Sequence, residues 1–193
     1  SILILPSIIL LFLVNACTPL PTGGPVSANT IYKAYNNLSY SITSGIEGSE
    51  STANLDINND GINDIKVYIT ANLLVRLASV NNVDFGTNNG AVKAFPLNES
   101  IGVSSVFAKN DFYVVNRSFI GAGWVSDIEN SFSNPTDKYI GIRYKNGNDY
   151  NYGWLRIYIK SILVNNTFLG YQINIVESSF NSLVNQSIQA GKK

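Results

Sequence analysis

The segment that decides the fold is KYIGIRY at residues 138–144, followed by KNGND at 145–149 and by GWLRIYIK at 153–160. In the first and third segments, aliphatic side chains recur at every second position. This period is that of a β-strand with one apolar face, and the polar residues between them predict that the other face is half exposed to water. The Asn-Gly pair in the middle segment favours a tight hairpin. The three segments therefore predict two adjacent antiparallel strands.

The same pattern continues through the chain. Residues 168–177 (FLGYQINIVE) alternate in the same way, and shorter candidate strands lie at 38–43, 51–57, 65–70, 73–80, 91–95, 103–107 and 112–116. Between them fall most of the 26 asparagines, in pairs or beside Gly, Asp and Ser. Asparagine tolerates the left-handed backbone region and so marks turns. Short strands separated by turns predict an all-β fold, a single antiparallel β-sandwich, with a jelly-roll as one form of it.

Composition excludes several classes of function. The 13 basic and 13 acidic residues cancel, so no charge excess would gather nucleic acid. The chain has no His and one Cys, which removes the commonest general base and the commonest ligands of zinc and haem. Neither catalytic-triad chemistry nor a disulfide is expected, and no catalytic residue is assigned.

The N-terminal segment predicts export. Residues 2–14 are uncharged and almost all aliphatic, too few to span a bilayer, and lead through Ala16 to Cys17. This arrangement resembles the lipobox of bacterial lipoproteins. The resemblance implies that Cys17 carries acyl chains, such as palmitate, after removal of a signal peptide at 1–16. The alternative is a buried N-terminal helix or strand with a core cysteine, which Pro6 and the Pro/Gly-rich residues 18–25 disfavour.

This resemblance also predicts domains and location. Residues 17–29 would be a lipidated tether and 30–193 the folded domain. The protein would sit in the bacterial cell envelope, on the outer membrane or the cell surface if the cell is Gram-negative, with the membrane as its first partner. Stable anchoring of this kind needs more than one acyl chain.

A loop between two predicted strands has the composition of a calcium site. Asp56, Asn58, Asp60 and Asp64 occupy positions 1, 3, 5 and 9, and the carbonyl of Ile62 would follow a glycine bend. Calcium prefers six to eight oxygen ligands, which alternate residues of a tight loop can supply. The sequence therefore predicts one structural Ca²⁺ ion as cofactor.

The loop is not an EF-hand, because position 12 is Val67 rather than a bidentate glutamate. It resembles the Asp-x-Asn-x-Asp-Gly-x-x-Asp loops that join strands in many secreted bacterial proteins. The alternative is a solvated Asn/Asp turn without an ion. Calcium is favoured because three carboxylates so close in sequence repel one another unless a cation offsets them.

The order of several motifs resembles a loosely defined group of secreted bacterial β-proteins of unknown function. After the DxNxDGxxD loop come AFPLNESIG at 94–102, YIGIRY at 139–144, YGWLRI at 152–157, VE at 176–177 and SIQAG at 187–191. The resemblance covers residues 48–191, with Asn151 and Ser100 as departures from the group's pattern. It implies a fold and a compartment, and no reaction.

The sequence thus favours a binding or structural module stabilised by calcium, whose partner would be a glycan or another surface protein. The alternatives are a carbohydrate-binding module and a polysaccharide-cleaving enzyme on the same fold. For the enzyme, Glu129 with Glu177 or Asp127 with Asp137 would form the carboxylate pair. The aromatic and Arg residues of the two clearest strands are predicted to pack within the sheet rather than to hold a sugar.

Overall fold

The computed structural model describes residues 28–43, 50–70, 75–109, 111–115, 117–120, 123–126, 138–165 and 167–193. These residues form β-strands, turns and loops, and no helix occurs among them. The predicted all-β, antiparallel class is therefore confirmed. The predicted signal peptide, Cys17 and the tether as far as residue 27 lie outside the described residues, as do Asp127, Glu129 and Asp137.

The described part of the chain contains sixteen strands. Their bounds are β1 Thr30–Thr43, β2 Glu50–Leu55, β3 Ile65–Thr70, β4 Val75–Ser79, β5 Val83–Asn88, β6 Ala91–Val92, β7 Ala94–Pro96, β8 Ser100–Ile101, β9 Phe107–Ala108, β10 Phe112–Val115, β11 Arg117–Ile120, β12 Gly123–Ser126, β13 Lys138–Asn146, β14 Asp149–Val164, β15 Thr167–Asn181 and β16 Ile188–Gln189.

Two sheets contain most of these strands. The larger has the order β1-β15-β14-β13-β5-β6, with β7 paired to β13 and β9 paired to β5. The smaller has the order β10-β4-β3-β2, and the pairs β11-β12 and β16-β8 stand apart. One buried cluster contains Leu55, Ile69 and Leu77 from the smaller sheet together with Ile142 and Leu155 from the larger. The apolar faces of the two sheets therefore form one core.

The predicted hairpin is present. Asn146 pairs with Asp149 at the turn, and Ile140 pairs with Leu155 further along. Gly147 in the turn has a φ of 62°, a conformation that glycine adopts without steric cost. The hairpin places the alternating aliphatic residues of β13 and β14 in the core between the sheets.

The expectation that the other face of this hairpin is half exposed to water holds at Arg143 and Tyr158 but is wrong for much of that face. Tyr139, Tyr152 and Trp154 point to that face, yet they are 2 %, 2 % and 0 % exposed. A second buried cluster covers them, and it includes Ile101 of β8 and Ile188 of β16. The short β8-β16 pair thus shields the outer face of the larger sheet, which alternation alone does not reveal.

Two glycines of the larger sheet are required by close packing. A Cβ atom added to Gly141 would lie 2.7 Å from the ring of Phe95, and one added to Gly86 would lie 2.6 Å from it. Real Cβ atoms do not approach a ring so closely. The glycine of the YIGIRY segment therefore makes room for Phe95, which is 1 % exposed.

Several connections meet at one end of the two sheets, here called the loop end. The loop at 56–64 joins β2 to β3, and the carbonyl of Asp64 accepts hydrogen bonds from the amides of Val80 and Asn81 in the next connection. The carbonyl of Asn82 in turn accepts from the amide of Lys145, beside the β13-β14 turn. The two sheets are therefore bonded to each other at this end.

The chain also enters the described structure at the loop end. The carbonyl of Asn29 accepts hydrogen bonds from the amide and the hydroxyl of Ser182, at 2.8 and 2.9 Å. The amide of Asn185 donates to the carbonyl of Tyr150, next to the β13-β14 turn. The loop at 182–187 thus lies between the entry of the chain and that turn.

Candidate functional site: the 56–64 loop

The first carboxylate of the loop organises its backbone. Asp56 Oδ1 accepts hydrogen bonds from the amides of Asn59 at 2.7 Å and Asp60 at 3.3 Å. Its Oδ2 accepts from the amide of Gly61 at 3.0 Å. Asn59 and Gly61 both have positive φ, 62° and 85°, so the bend falls where the sequence places its Asn-Asp-Gly turn. Asp56 therefore stabilises the turn by accepting hydrogen bonds from three of its amides.

The middle of the loop is held by its own side chains. Asn58 Oδ1 accepts from the amide of Asp60 at 3.1 Å, and Asn58 Nδ2 donates to Asp60 Oδ2 at 3.0 Å. Asp60 Oδ1 accepts from the amide of Ile62 at 2.8 Å. The Ile62 side chain is exposed. Each carboxylate oxygen has two lone pairs, so these bonds leave further acceptor capacity.

The last carboxylate differs from the others because it is fully buried. Asp64 is 0 % exposed, and its Oδ2 accepts from the amides of Ile57 at 2.8 Å and Asn58 at 3.4 Å. Its Oδ1 is buried and has no hydrogen-bond partner among the described residues. Burial raises the pKa of Asp64, the two amide bonds lower it, and the charges of Asp60 and Asp56 raise it again, with a net upward shift. The loop therefore contains a buried acceptor that lacks a donor or a cation.

All five predicted calcium ligands lie on this loop, but their side chains are not arranged as a coordination shell. Among the described residues, no three Asp, Glu or Cys side chains are grouped closely enough to hold a metal ion. The loop oxygens of Asp56 and Asp60 are turned towards backbone amides. The residue types fit calcium, and Asp64 Oδ1 fits a missing cation, but binding would require the side chains of Asp56 and Asp60 to turn inward.

A second buried carboxylate lies on β15. Glu177 Oε1 accepts from Arg156 Nη1 at 3.1 Å, while its Oε2 accepts from the hydroxyl of Tyr32 at 2.7 Å and from Lys193 Nζ at 3.1 Å. Arg156 is 3 % exposed. Burial acts to raise the pKa of Glu177, but the hydrogen bonds from Tyr32, Lys193 and Arg156 outweigh it, so the pKa is lowered.

The surroundings of Glu177 do not suit the general acid of the predicted glycosidase alternative. A general acid of a glycosidase needs a raised pKa, whereas that of Glu177 is lowered. Both of its oxygens are already bonded within the protein. Its proposed partner Glu129 lies outside the described residues, as do both members of the Asp127 and Asp137 pair. The surroundings of Glu177 therefore favour an ion pair that joins strands.

Sequence reasoning treated Arg156 and Glu177 as separate residues, since nothing in their spacing shows that they meet. They are opposite each other in the register of β14 and β15. Their pairing could have been found by aligning the two segments as antiparallel neighbours. The predicted packing role is confirmed for Arg156 and for Trp154, whose Nε1 donates to the carbonyl of Lys192 at 3.0 Å.

A half-buried aromatic cluster lies elsewhere on the larger sheet. The guanidinium of Arg143 lies 4.9 Å from the ring centre of Phe107 and 4.2 Å from that of Tyr150. Its Nε donates to Asp84 Oδ2 at 2.7 Å. These contacts fix Arg143 between two rings, and they leave parts of both rings accessible.

Comparison of the chain with protein-family models, with curated proteins and with solved structures gives no match. Within the residues that the structure describes, no helix is both long and apolar enough to cross a membrane.

Proposed function

We propose that this chain is a lipid-anchored module of the bacterial cell envelope that binds or organises other envelope components. Its domain would be a β-sandwich anchored through Cys17, with one calcium ion held by the 56–64 loop. The ligands would be Asp56, Asn58, Asp60, the Ile62 carbonyl and Asp64. The role of the ion would be structural, since the loop joins β2 to β3 and is bonded to the β4-β5 connection.

The observation that carries the calcium site is the unpartnered Oδ1 of Asp64. A buried acceptor without a partner costs about 1–3 kcal/mol, and more when it is charged. Lys33 of β1 reaches this loop, but its Nζ donates to the carbonyl of Asp56 at 3.1 Å and leaves Asp64 Oδ1 without a partner. A divalent ion from solution would supply the missing charge and satisfy the oxygen.

Thermal unfolding in calcium and in EGTA tests this site. At a calcium concentration of a hundred times its dissociation constant, binding adds about 2.7 kcal/mol to the free energy of unfolding. Asp60→Ala should abolish that gain. The matched control is Asp149→Ala, because Asp149 is also exposed at the loop end but bonds to Asn185 outside the loop. Equal melting temperatures of the unmodified protein in calcium and EGTA would show that the loop is only a turn.

The anchor is tested by fractionation. Cys17→Ser removes the predicted site of acylation, and the protein should then leave the membrane fraction because the buried acyl methylenes are lost. Intact-mass measurement of the unsubstituted protein should show the added acyl chains. Retention of the Cys17→Ser protein on membranes would overturn the lipoprotein proposal.

A carbohydrate-binding module is the second candidate, and the cluster of Arg143, Phe107 and Tyr150 favours it. Rings that remain partly accessible beside a fixed guanidinium can stack on a sugar. A glycan array combined with a reducing-sugar assay separates the possibilities. Binding without cleavage that is lost in Tyr150→Ala would support the sugar-binding module, and release of reducing ends would support the enzyme.

A further inference from the structure

The loop end carries exposed aliphatic side chains from three different connections. Ile62 is 57 % exposed, Val80 55 %, Leu183 38 % and Val184 42 %. We refer to these four residues as the apolar rim. They lie in the loops at 56–64, 80–82 and 182–187, which the hydrogen bonds described above bring to one end of the sheets. Exposed aliphatic groups gathered in this way typically mark a surface that contacts a partner.

The point where the chain enters the structure identifies the partner. Ala28 and Asn29 lie at the loop end, with Asn29 fixed by Ser182. Ten residues lie between Cys17 and Ala28. Whatever its conformation, a segment of that length reaches at most about 40 Å. Acyl chains on Cys17 would therefore hold the loop end close to the bilayer.

The carboxylates of the 56–64 loop affect whether the apolar rim can contact the lipid. Asp64 is fully buried, but the half-buried Asp56 and the exposed Asp60 lie on the same loop as Ile62. Without a cation, they repel an anionic lipid surface and keep their hydration, which holds Ile62 away from the acyl region. A bound calcium ion offsets these charges and removes that barrier.

We propose that the apolar rim is a calcium-dependent contact surface for the bilayer that carries the lipid anchor. The inference rests on the proposed function, because it uses both the acylated Cys17 and the calcium site. Its result is a fixed orientation: the loop end faces the membrane, and Leu97, which follows the pairing of Pro96 with the first residue of β13 at the opposite end of the larger sheet, faces away from it.

Quenching of tryptophan by brominated lipids tests this orientation. The full chain is placed in vesicles of phosphatidylcholine and phosphatidylglycerol with bromine on the acyl chains. The test variant is Leu183→Trp, and the matched control is Leu97→Trp, since Leu97 is the same residue type, is 43 % exposed and lies at the opposite end of the larger sheet. In calcium, the bromolipid should quench the added emission of Leu183→Trp at least about twofold more strongly than that of Leu97→Trp. In EGTA the difference should fall.

Each outcome decides the proposal. Equal quenching of the two variants, or quenching of Leu97→Trp alone, overturns it. Lack of quenching at both positions, as expected if the rim binds a partner protein instead, also overturns it. If the quenching of Leu183→Trp is the same in calcium and in EGTA, the calcium dependence is wrong.

Two measurements on the same samples separate these results from failure of the proposed function. Intact mass reports whether Cys17 is acylated, and the melting temperature reports whether calcium binds. If both are positive and Leu183→Trp is not quenched, the rim proposal alone fails. If the acyl mass is missing, the anchor fails, and flotation of the unacylated chain with calcium and vesicles then tests the rim by itself. Absence of flotation overturns it.

Discussion

Asp64 and Glu177 are two buried carboxylates in opposite surroundings. Glu177 lies among strands that are far apart in sequence, and Arg156, Lys193 and Tyr32 satisfy both of its oxygens. Asp64 lies at the end of a short acidic loop, and one of its oxygens has no partner among the described residues. As a result the pKa of Glu177 is lowered and that of Asp64 is raised.

The contrast shows where a fold obtains its countercharge. Pairing across strands can bring an arginine from one segment to a glutamate of another, so the carboxylate is neutralised by the protein itself. The loop at 56–64 has only acidic and neutral side chains, and Lys33, which reaches it from β1, donates to the Asp56 carbonyl rather than to a carboxylate. A carboxylate buried there either binds a cation from solution or has a raised pKa.

The largest effect is expected from removing the protein's own countercharge pair. Glu177→Gln leaves the buried guanidinium of Arg156 without the carboxylate and should lower the free energy of unfolding by about 3–5 kcal/mol. The control is Asp111→Asn, which breaks the ion pair with Arg76 at the surface and should cost less than about 1 kcal/mol. Urea unfolding measures both. Similar losses for the two variants would mean that the buried pair is no stronger than the surface pair.

The next effect distinguishes the two carboxylates by their response to calcium. The unmodified protein should gain about 2.7 kcal/mol when calcium reaches a hundred times its dissociation constant. Asp64→Asn should lose this gain, whereas Glu177→Gln, although less stable, should keep it in full. The increment between calcium and EGTA is measured for each variant by thermal unfolding. A full increment in Asp64→Asn would remove Asp64 from the proposed ligand set.

The smallest effect is on the pH dependence of stability, measured in EGTA. Because its folded pKa lies below the ordinary value of 4.5, Glu177 contributes stability that is present above that pH and is lost as the pH falls through the folded pKa. Asp64 has a raised folded pKa, so its contribution is present at acid pH and is lost as the pH rises through that pKa.

Urea midpoints between acid and neutral pH therefore change in opposite directions for the two variants. Glu177→Gln should flatten the acid-side loss of stability, and Asp64→Asn should steepen it relative to the unmodified protein. Profiles that shift in the same direction for both variants would contradict the opposite environments of the two groups.

Sequence reasoning was most successful where the interactions are local. The hairpin of β13 and β14 follows from alternation and from Asn-Gly. The use of asparagine in turns is also confirmed, because the described non-glycine residues with positive φ are Asn59, Asn82, Asn89, Asn98, Asn165 and Asn185. In each case a few neighbouring residues decide the backbone conformation.

Other strands were missed or misplaced. β5, with the sequence VDFGTN, was not predicted, because Asp84, Gly86 and the flanking asparagines are poor strand formers. It forms because Val83 and Phe85 enter the core and β5 pairs with β13. The segment at 103–107 was predicted as a strand, but it is mostly a loop with Val103 and Val106 exposed. Packing against distant strands thus decided the case of β5.

The sequence by itself determined the all-β class, the turns and the acidic loop, because strand period and turn chemistry act over a few residues. Only the tertiary structure decided that Tyr139 and Trp154 are buried on the outer face of the larger sheet, that Arg156 meets Glu177 and that Asp64 retains an unpartnered oxygen. These features depend on which strands become neighbours. Burial and countercharge come from residues that are distant in sequence, so no local pattern contains them.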